Sequence, residues 1–379
     1  MTDTPPSATA IKPRPPLRIF VPMIAVGIIL ALYSAYWYVA AGKLRSGVES
    51  FAAQPHPGDV AVGWSDLSMS GYPYRIAVTL TAPAVTAPEA PEDWSWQAES
   101  LEADFLPYNL RHLVLKVDGE QVLRYRDVTG LQPQRHVVRA KAGGTWASYV
   151  DVEGAPFGRL AIDIDNLTAT RDDDGTSRKD RKSDERFSAG RLQLHARPSE
   201  DAAPGKAAPV LASNAGSYDI ALQGNDMVLD SANAVPVLGP DVSFIAVQAR
   251  LRNVPKNKSA SLVELSRDWL QQGGTLAVSD LMIKWGPLDM WAQGEMTLDD
   301  QARPKGNFDA EITNYAGLLA ALVKGHVVSE RDAKLALVGM GLIAQLQGTP
   351  DGRLRVPIVM NEGKLYLGPI VVAKLDPVY

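Results

Sequence analysis

The sequence predicts a mainly β protein of the α+β class: one large, antiparallel, curved β-sheet domain with a few helices, on a single N-terminal transmembrane helix. Three observations predict it. Residues 19–41 form an apolar run with no charged side chain. From Val60 onward, apolar and polar residues alternate with a period of two in segment after segment. Helical periodicity beyond the anchor is confined to short stretches beginning near Ser261, Tyr315 and Ser329.

The run IFVPMIAVGIILALYSAYWYVAA spans about 35 Å as a helix at ~1.5 Å per residue, enough to cross a hydrocarbon core of ~30 Å. It is apolar all round, unlike a helix buried on one face of a soluble domain. A signal peptide has an apolar core of only about 7–15 residues. The expectation is therefore an uncleaved anchor, not a leader cut near Val39-Ala40-Ala41. Lys12, Arg14 and Arg18 precede the span, and Lys43 and Arg45 follow it with Glu49 close by. The positive-inside bias then places residues 1–18 in the cytoplasm and the main domain across the membrane. Tyr33, Tyr36, Trp37 and Tyr38 cluster at the far end, where amphipathic rings prefer the head-group level.

Beyond the span, Leu44, Val48 and Phe51 recur at helical spacing, and Pro55-His56-Pro57-Gly58 stops the pattern. Residues 42–58 are read as a helical stalk and linker. Residues 59–379 are read as the exported β-rich domain, with a candidate division into two halves near 198–213.

Alternation is clearest at Leu192, Leu194 and Ala196; at Val247, Ala249 and Leu251; at Met290, Ala292, Gly294, Met296 and Leu298; and at Phe308, Ala310 and Ile312. One apolar and one polar face per strand is an antiparallel habit. Asp118-Gly119 and Asn361-Glu362-Gly363 are read as hairpin turns. Residues 83–92 and 198–209 are read as loops. Ser261 to Gln272 is a predicted helix closed by Gly273-Gly274, and Tyr315 to Lys324 a second one, capped by Thr313-Asn314 and ended by Gly325. Ser329 to Gln347 is a third, opening on a near capping box and pairing with the second as a helical hairpin.

Composition narrows the function classes. The chain has 379 residues and a net charge of −5. Its first 41 residues carry +2, so the remainder carries −7, which gives no electrostatic footprint for nucleic acid. With no cysteine, thiol catalysis, cysteine–zinc sites and iron–sulfur clusters are excluded. His56, His112, His136, His195 and His326 stand apart, with no metal-ligand spacing. Asp172-Asp173-Asp174-Gly175 lacks the ligands of a calcium loop, and residues 171–186 hold six basic and six acidic side chains, the mark of a solvated tip. Gly63-Trp64-Ser65-Asp66-Leu67 lacks the last glycine of a nucleophile elbow. Gly339-Met340-Gly341 is read as a close helix-packing point. No catalytic, cofactor-binding or metal residue is assigned, and no cofactor is expected.

Two candidate surfaces remain. Ser70-Gly71-Tyr72-Pro73-Tyr74-Arg75 is either a binding loop or a tight turn feeding a strand. Trp94, Trp96, Trp285 and Trp291 either line an apolar groove, or cover sheet ends or fill a core.

Trp64-Ser-Asp-Leu-Ser-Met-Ser-Gly71-Tyr72-Pro73-Tyr74-Arg75 directly after a span, Trp94-Ser-Trp96, Phe105-Leu-Pro-Tyr-Asn109-Leu-Arg-His112, Trp285-Gly286-Pro287 with Gly294, Arg303-Pro304-Lys305-Gly306, and Gly363-Lys364-Leu-Tyr-Leu-Gly368-Pro369 follow one another in order. Together they resemble the membrane-anchored bacterial "domain of unknown function 2125" family over nearly the whole chain. The chain departs chiefly in its charged insert after Leu167. The resemblance implies a Gram-negative inner membrane, a β-rich periplasmic domain and no catalytic residues.

The surface arithmetic leaves two functions open. Many one-sided strands face about three helices, so the sheet either closes on itself or keeps an apolar surface for a partner. One reading is a non-enzymatic structural, assembly or docking module that binds an envelope protein. The alternative is a tethered β-groove that binds or shields lipid. The bilayer itself is a partner in both, and nucleic acid in neither.

Overall fold

The computed structural model describes residues 17–54, 60–87, 93–127, 134–155, 157–173, 185–199, 215–230, 237–255, 262–346, 353–368 and 370–378. The cytoplasmic tail, the Pro55–Gly58 stop, the centre of the charged insert and nearly all of the 198–213 division lie outside the described residues. Helix α1 (Leu17–Ala53) runs unbroken through the span and the segment after it. Among the described residues it is the one helix long and apolar enough to cross a membrane.

Among the described residues, eighteen strands form one antiparallel sheet. They are β1 (Ala61–Gly63), β2 (Asp66–Ser70), β3 (Ile76–Thr81), β4 (Ala84–Ala87), β5 (Trp94–Leu106), β6 (Asn109–Asp127), β7 (Gln134–Lys141), β8 (Gly144–Val150), β9 (Arg159–Asp173), β10 (Glu185–Pro198), β11 (Ala215–Asp230), β12 (Asp241–Pro255), β13 (Thr275–Trp285), β14 (Leu288–Leu298), β15 (Pro304–Thr313), β16 (Arg353–Asn361), β17 (Lys364–Leu367) and β18 (Ile370–Lys374). Helix α2 (Leu262–Gln271) follows β12, and α3 (Tyr315–Lys324) and α4 (Glu330–Leu346) follow β15.

The sheet is a meander in chain order. β1 and β2 act as one broken strand, paired with β4 and β3, which together pair with β5. β7 and β8 likewise share β6 and β9 as neighbours. From β9 each strand pairs with the next, through β18. Pairing of β10 with β11 runs from Arg186↔Asp230 to Pro198↔Tyr218, so the sheet is continuous across the region of the expected division.

The three predicted helices form for the reasons their termini suggest. Gly273, at φ +68°, ends α2, its N–H donating to the Leu270 carbonyl. Asn314 caps α3, its side chain accepting from the Gly317 N–H at 3.2 Å. Ser329 caps α4, accepting from the Asp332 N–H at 3.1 Å. The 361–363 turn also forms, joining β16 to β17 with Glu362 and Gly363 both at positive φ.

Three expectations fail in whole or in part. Residues 84–87, inside the expected 83–92 loop, form β4 and pair with β1 and β5. Asp118-Gly119 is not a hairpin: it lies inside β6, where the register against β5 shifts between Ala98 and Ser100. Gly119 has φ +83°, and a left-handed glycine serves a bulge as readily as a turn. Of the Gly339-Met340-Gly341 segment, a Cβ added at Gly339 meets open space, whereas one at Gly341 would touch the Tyr315 hydroxyl of α3 at 3.9 Å, so only the second glycine faces the neighbouring helix.

Register carries one apolar face across the whole sheet. A single cross-strand row runs Ile76, Phe105, Leu113, Tyr149, Leu160, Ala196, Ile220, Ala249, Val278, Gly294, Phe308, Ile358 and Leu367. All four alternating segments read from the sequence put their apolar residues on this face. Helices cover its two ends. At one end Trp37, Ala40, Ala41, Leu44 and Val48 of α1 pack on Ile76, Leu67, Val78 and Ala103. At the other, Leu318, Leu319 and Met340 of α3 and α4 pack on Ala292, Ala310, Ile312, Leu354 and Val356. A smaller cluster joins Ala189, Met227 and Val242.

Candidate functional site

Between the covered ends lies a strip that joins no buried cluster among the described residues. A second row reads Leu115, Ala147, Ile162, Leu194, Leu222 and Val247. Leu115 belongs to the cluster under α1 and Val247 to the one under α3 and α4. The four residues between them join no buried cluster among the described residues. Leu222 is 44% exposed although it stands in the middle of the sheet's apolar face. Three strand spacings separate Ala147 from Leu222, about 14 Å, comparable with half of a ~30 Å hydrocarbon core.

One rim of the strip is built by the 151–158 loop. The Tyr218 hydroxyl donates to the Phe157 carbonyl at 3.0 Å and accepts from the Phe157 N–H at 2.8 Å. The Tyr149 hydroxyl accepts from the Gly158 N–H at 3.1 Å. The Phe157 ring thereby meets Tyr218 edge-on at 6.2 Å. Burial raises the Tyr218 phenol above its ordinary pKa, against the opposing bond to Phe157. These tyrosines satisfy loop backbone that would otherwise be stranded over an apolar surface.

The opposite face of the same strands is polar and bears a hollow of about 830 Å³. Arg159, His195, Arg197, Arg250 and Arg252 line it with one carboxylate, Asp219. Arg250 holds Asp219 at 2.8 Å and Arg197 stands 3.6 Å from it, while Arg252 reaches Glu295 at 3.2 Å. Burial works to raise the Asp219 pKa, but bonds from Arg250 and Ser199 and the charges of Arg250 and Arg197 hold it below the ordinary carboxylate value. The strip is thus backed by a basic layer in a chain of net charge −5.

A third arrangement joins anchor and sheet. The 71–75 segment is the turn between β2 and β3, with a cis bond at Tyr72–Pro73 and Gly71 at φ +95°. It is a tight turn that also binds, and what it binds is the chain's own helix. The Tyr33 hydroxyl donates to the Pro73 carbonyl, Trp37 Nε1 to the Arg75 carbonyl at 3.0 Å, and the Tyr36 hydroxyl to the Pro107 carbonyl at 2.6 Å. Tyr72 stacks with Tyr38 and meets Trp37 edge-on. Leu44 and Val48, beyond the span, lie against the sheet, whereas Phe51 is exposed.

The tryptophans do not converge. Trp94 and Trp96 share the apolar face near the start of β5, where Trp96 bonds Gln121. Trp285 donates to the Gly239 carbonyl at the far end of β13, and Trp291 lies on the polar face, donating to Asp280. His112 bonds Ser148, His136 is buried beside Tyr125, and His195 lines the basic hollow. Among the described residues no three His, Asp or Glu side chains are grouped to hold a metal ion. Sequence reasoning missed the strip because exposure of Leu222 depends on which strands the helices reach. The signal present was alternation through four long strands, β9–β12, followed by only one short amphipathic helix, α2, which meets the end of β12 through Trp269.

An apolar anchor continuous with a mostly β domain defines a single-pass, membrane-anchored β-sheet protein. The chain belongs to the family described as "Uncharacterized protein conserved in bacteria (DUF2125)", which it matches over residues 37–376. No curated protein matches the chain, and no solved structure does.

Proposed function

We propose that this is a non-enzymatic envelope protein that holds lipid hydrocarbon on the open strip of its sheet while tethered to the bilayer. The observation that carries the reading is the Ala147, Ile162, Leu194, Leu222 row: apolar, flanked at both ends by packed clusters, in no buried cluster among the described residues, and about as long as one leaflet is thick. The row that begins at Ile76 against the anchor leads to the strip's edge at Leu160 and Ile220, giving a continuous apolar path. The flanking charges support an N-terminus in the cytoplasm and a domain across the membrane, and the family supports a bacterial membrane; in this reading that membrane is the inner membrane of a Gram-negative cell and the domain is periplasmic.

A second reading, an assembly or docking module for an envelope protein, has its own support. Leu335, Val338 and Leu342 form an exposed stripe on α4, facing away from the core that Ala336 and Met340 join.

One experiment separates the two. A photo-crosslinking amino acid is placed at Leu222 or at Gln223, adjacent residues on opposite faces, in the full chain in producing cells. Adducts of lipid mass at 222 and none at 223 support the lipid reading. A protein adduct at 222 favours docking, and no adduct at 222 overturns the lipid reading.

A further inference from the structure

The level at which the sheet meets its anchor fixes where the domain sits. Arg18 is the last charge before the span. From Arg18 to Tyr33 the helix rises about 22 Å, and to Trp37 about 28 Å, at ~1.5 Å per residue. A hydrocarbon core is ~30 Å thick. The helix therefore reaches Tyr33 before it has crossed the core. Yet Tyr33, Tyr36 and Trp37 already bond main-chain carbonyls of the 71–75 turn and of Pro107. A spacer that lifted the sheet clear of the bilayer is incompatible with these bonds.

The two hairpin tips carry side chains suited to that depth. Tyr74 and Tyr108 are 85% and 82% exposed, and Tyr72 and Leu110 both 47%. In water such a cluster is a liability, whereas at the head-group boundary a tyrosine ring has an apolar body and a wet hydroxyl. Carbonyls that would be costly in a dehydrated layer are those that the anchor's tyrosines and tryptophan satisfy. Arg75 adds a charge held by Glu102 at 3.2 Å and Asp104 at 2.6 Å, on the side away from the core.

We infer that the 71–75 and 107–110 tips are inserted among the head groups and upper acyl chains of the leaflet on the domain's side, so that the sheet is seated in the bilayer. This stands whether or not the strip carries lipid.

The chain has no cysteine, so one introduced thiol is the sole labelling site. Tyr74→Cys and Tyr108→Cys, made separately in the full chain, are labelled with a nitroxide and reconstituted in bilayers of phosphatidylethanolamine and phosphatidylglycerol. Arg331→Cys, exposed at the start of α4, is the aqueous reference. The ratio of oxygen to water-soluble nickel-chelate accessibility is read at each position. The expected result is a ratio several-fold above the reference at both tips; either site suffices should the other variant fail to fold. Ratios at the tips equal to that at 331 overturn the inference, and leave the lipid strip untouched.

Discussion

Tyr36 of the anchor donates its hydroxyl hydrogen to the main-chain carbonyl of Pro107 at 2.6 Å, across 71 residues of sequence. With Trp37, which is 4% exposed, it makes the span part of the folded domain's structure. Two losses of different size follow. Tyr36→Phe strands one carbonyl and is expected to cost about 1 kcal/mol. Trp37→Ala empties a packed site against Ile76 and is expected to cost about 3–5 kcal/mol. Hydrogen exchange in nanodiscs checks this: amides of the Pro107 hairpin should lose protection in both variants, far more in the second.

Gly71 stands where only glycine fits. At φ +95° a side chain is strained, and a Cβ there falls 2.7 Å from both the carbonyl oxygen and Cγ of Arg75. The Arg75 carbonyl is also the acceptor for Trp37. Gly71→Ala is thus expected to cost roughly 1–3 kcal/mol and to loosen the joint with the anchor. Lowered thermal stability together with a red-shifted fluorescence contribution from Trp37 is the expected readout; an unchanged melting curve would refute it.

How much of this was legible depended on whether a feature is local. Alternation at 192–197, 247–252, 290–298 and 308–312 names a face because strand geometry is local. The termini of α2, α3 and α4 were readable for the same reason, since Gly273, Asn314 and Ser329 act on their own turns. Asp118-Gly119 misled because left-handed glycine fits a turn and a bulge alike. The rows through Ile76 and through Leu115 were invisible, because they exist only in the register between strands. The anchor joint was hidden too: Tyr33 and Tyr36 read as belt aromatics, and nothing nearby in sequence names Pro73 or Pro107 as their acceptors.

The strip and the covered core differ in what a charge does to them. Leu354 is fully buried between α3, α4 and the sheet, so Leu354→Glu buries an unpaired carboxylate and should abolish folding. Leu222 lies on the same apolar face but is open. Leu222→Glu is expected to leave the melting temperature within a few degrees while abolishing the lipid adduct at a photo-crosslinker placed at Ile162. A Leu222→Glu protein that fails to fold would mean that the strip is closed over in the native state.

Acid should release the turn between β14 and β15. Asp299 accepts from Arg303 Nε and from the Gln301 and Arg303 N–H groups, each at 2.9 Å. The bond from the Arg303 side chain comes first among the causes that hold its pKa below the ordinary carboxylate value. A carboxylate with a depressed folded pKa binds fewer protons folded than unfolded. Its contribution is fully present above its unfolded pKa of ~3.9 and is lost as pH falls through the lower folded value. Asp163, held low by Arg191, and Asp219 act in the same direction. The thermal midpoint in a non-ionic detergent should therefore be flat above about pH 5 and fall steeply below about pH 4. Asp299→Asn should lower the plateau and flatten the fall, because its share of the proton uptake on unfolding is gone. A parallel downward shift with the steepness intact would mean that Asp299 is not among the groups whose protonation unfolds the sheet.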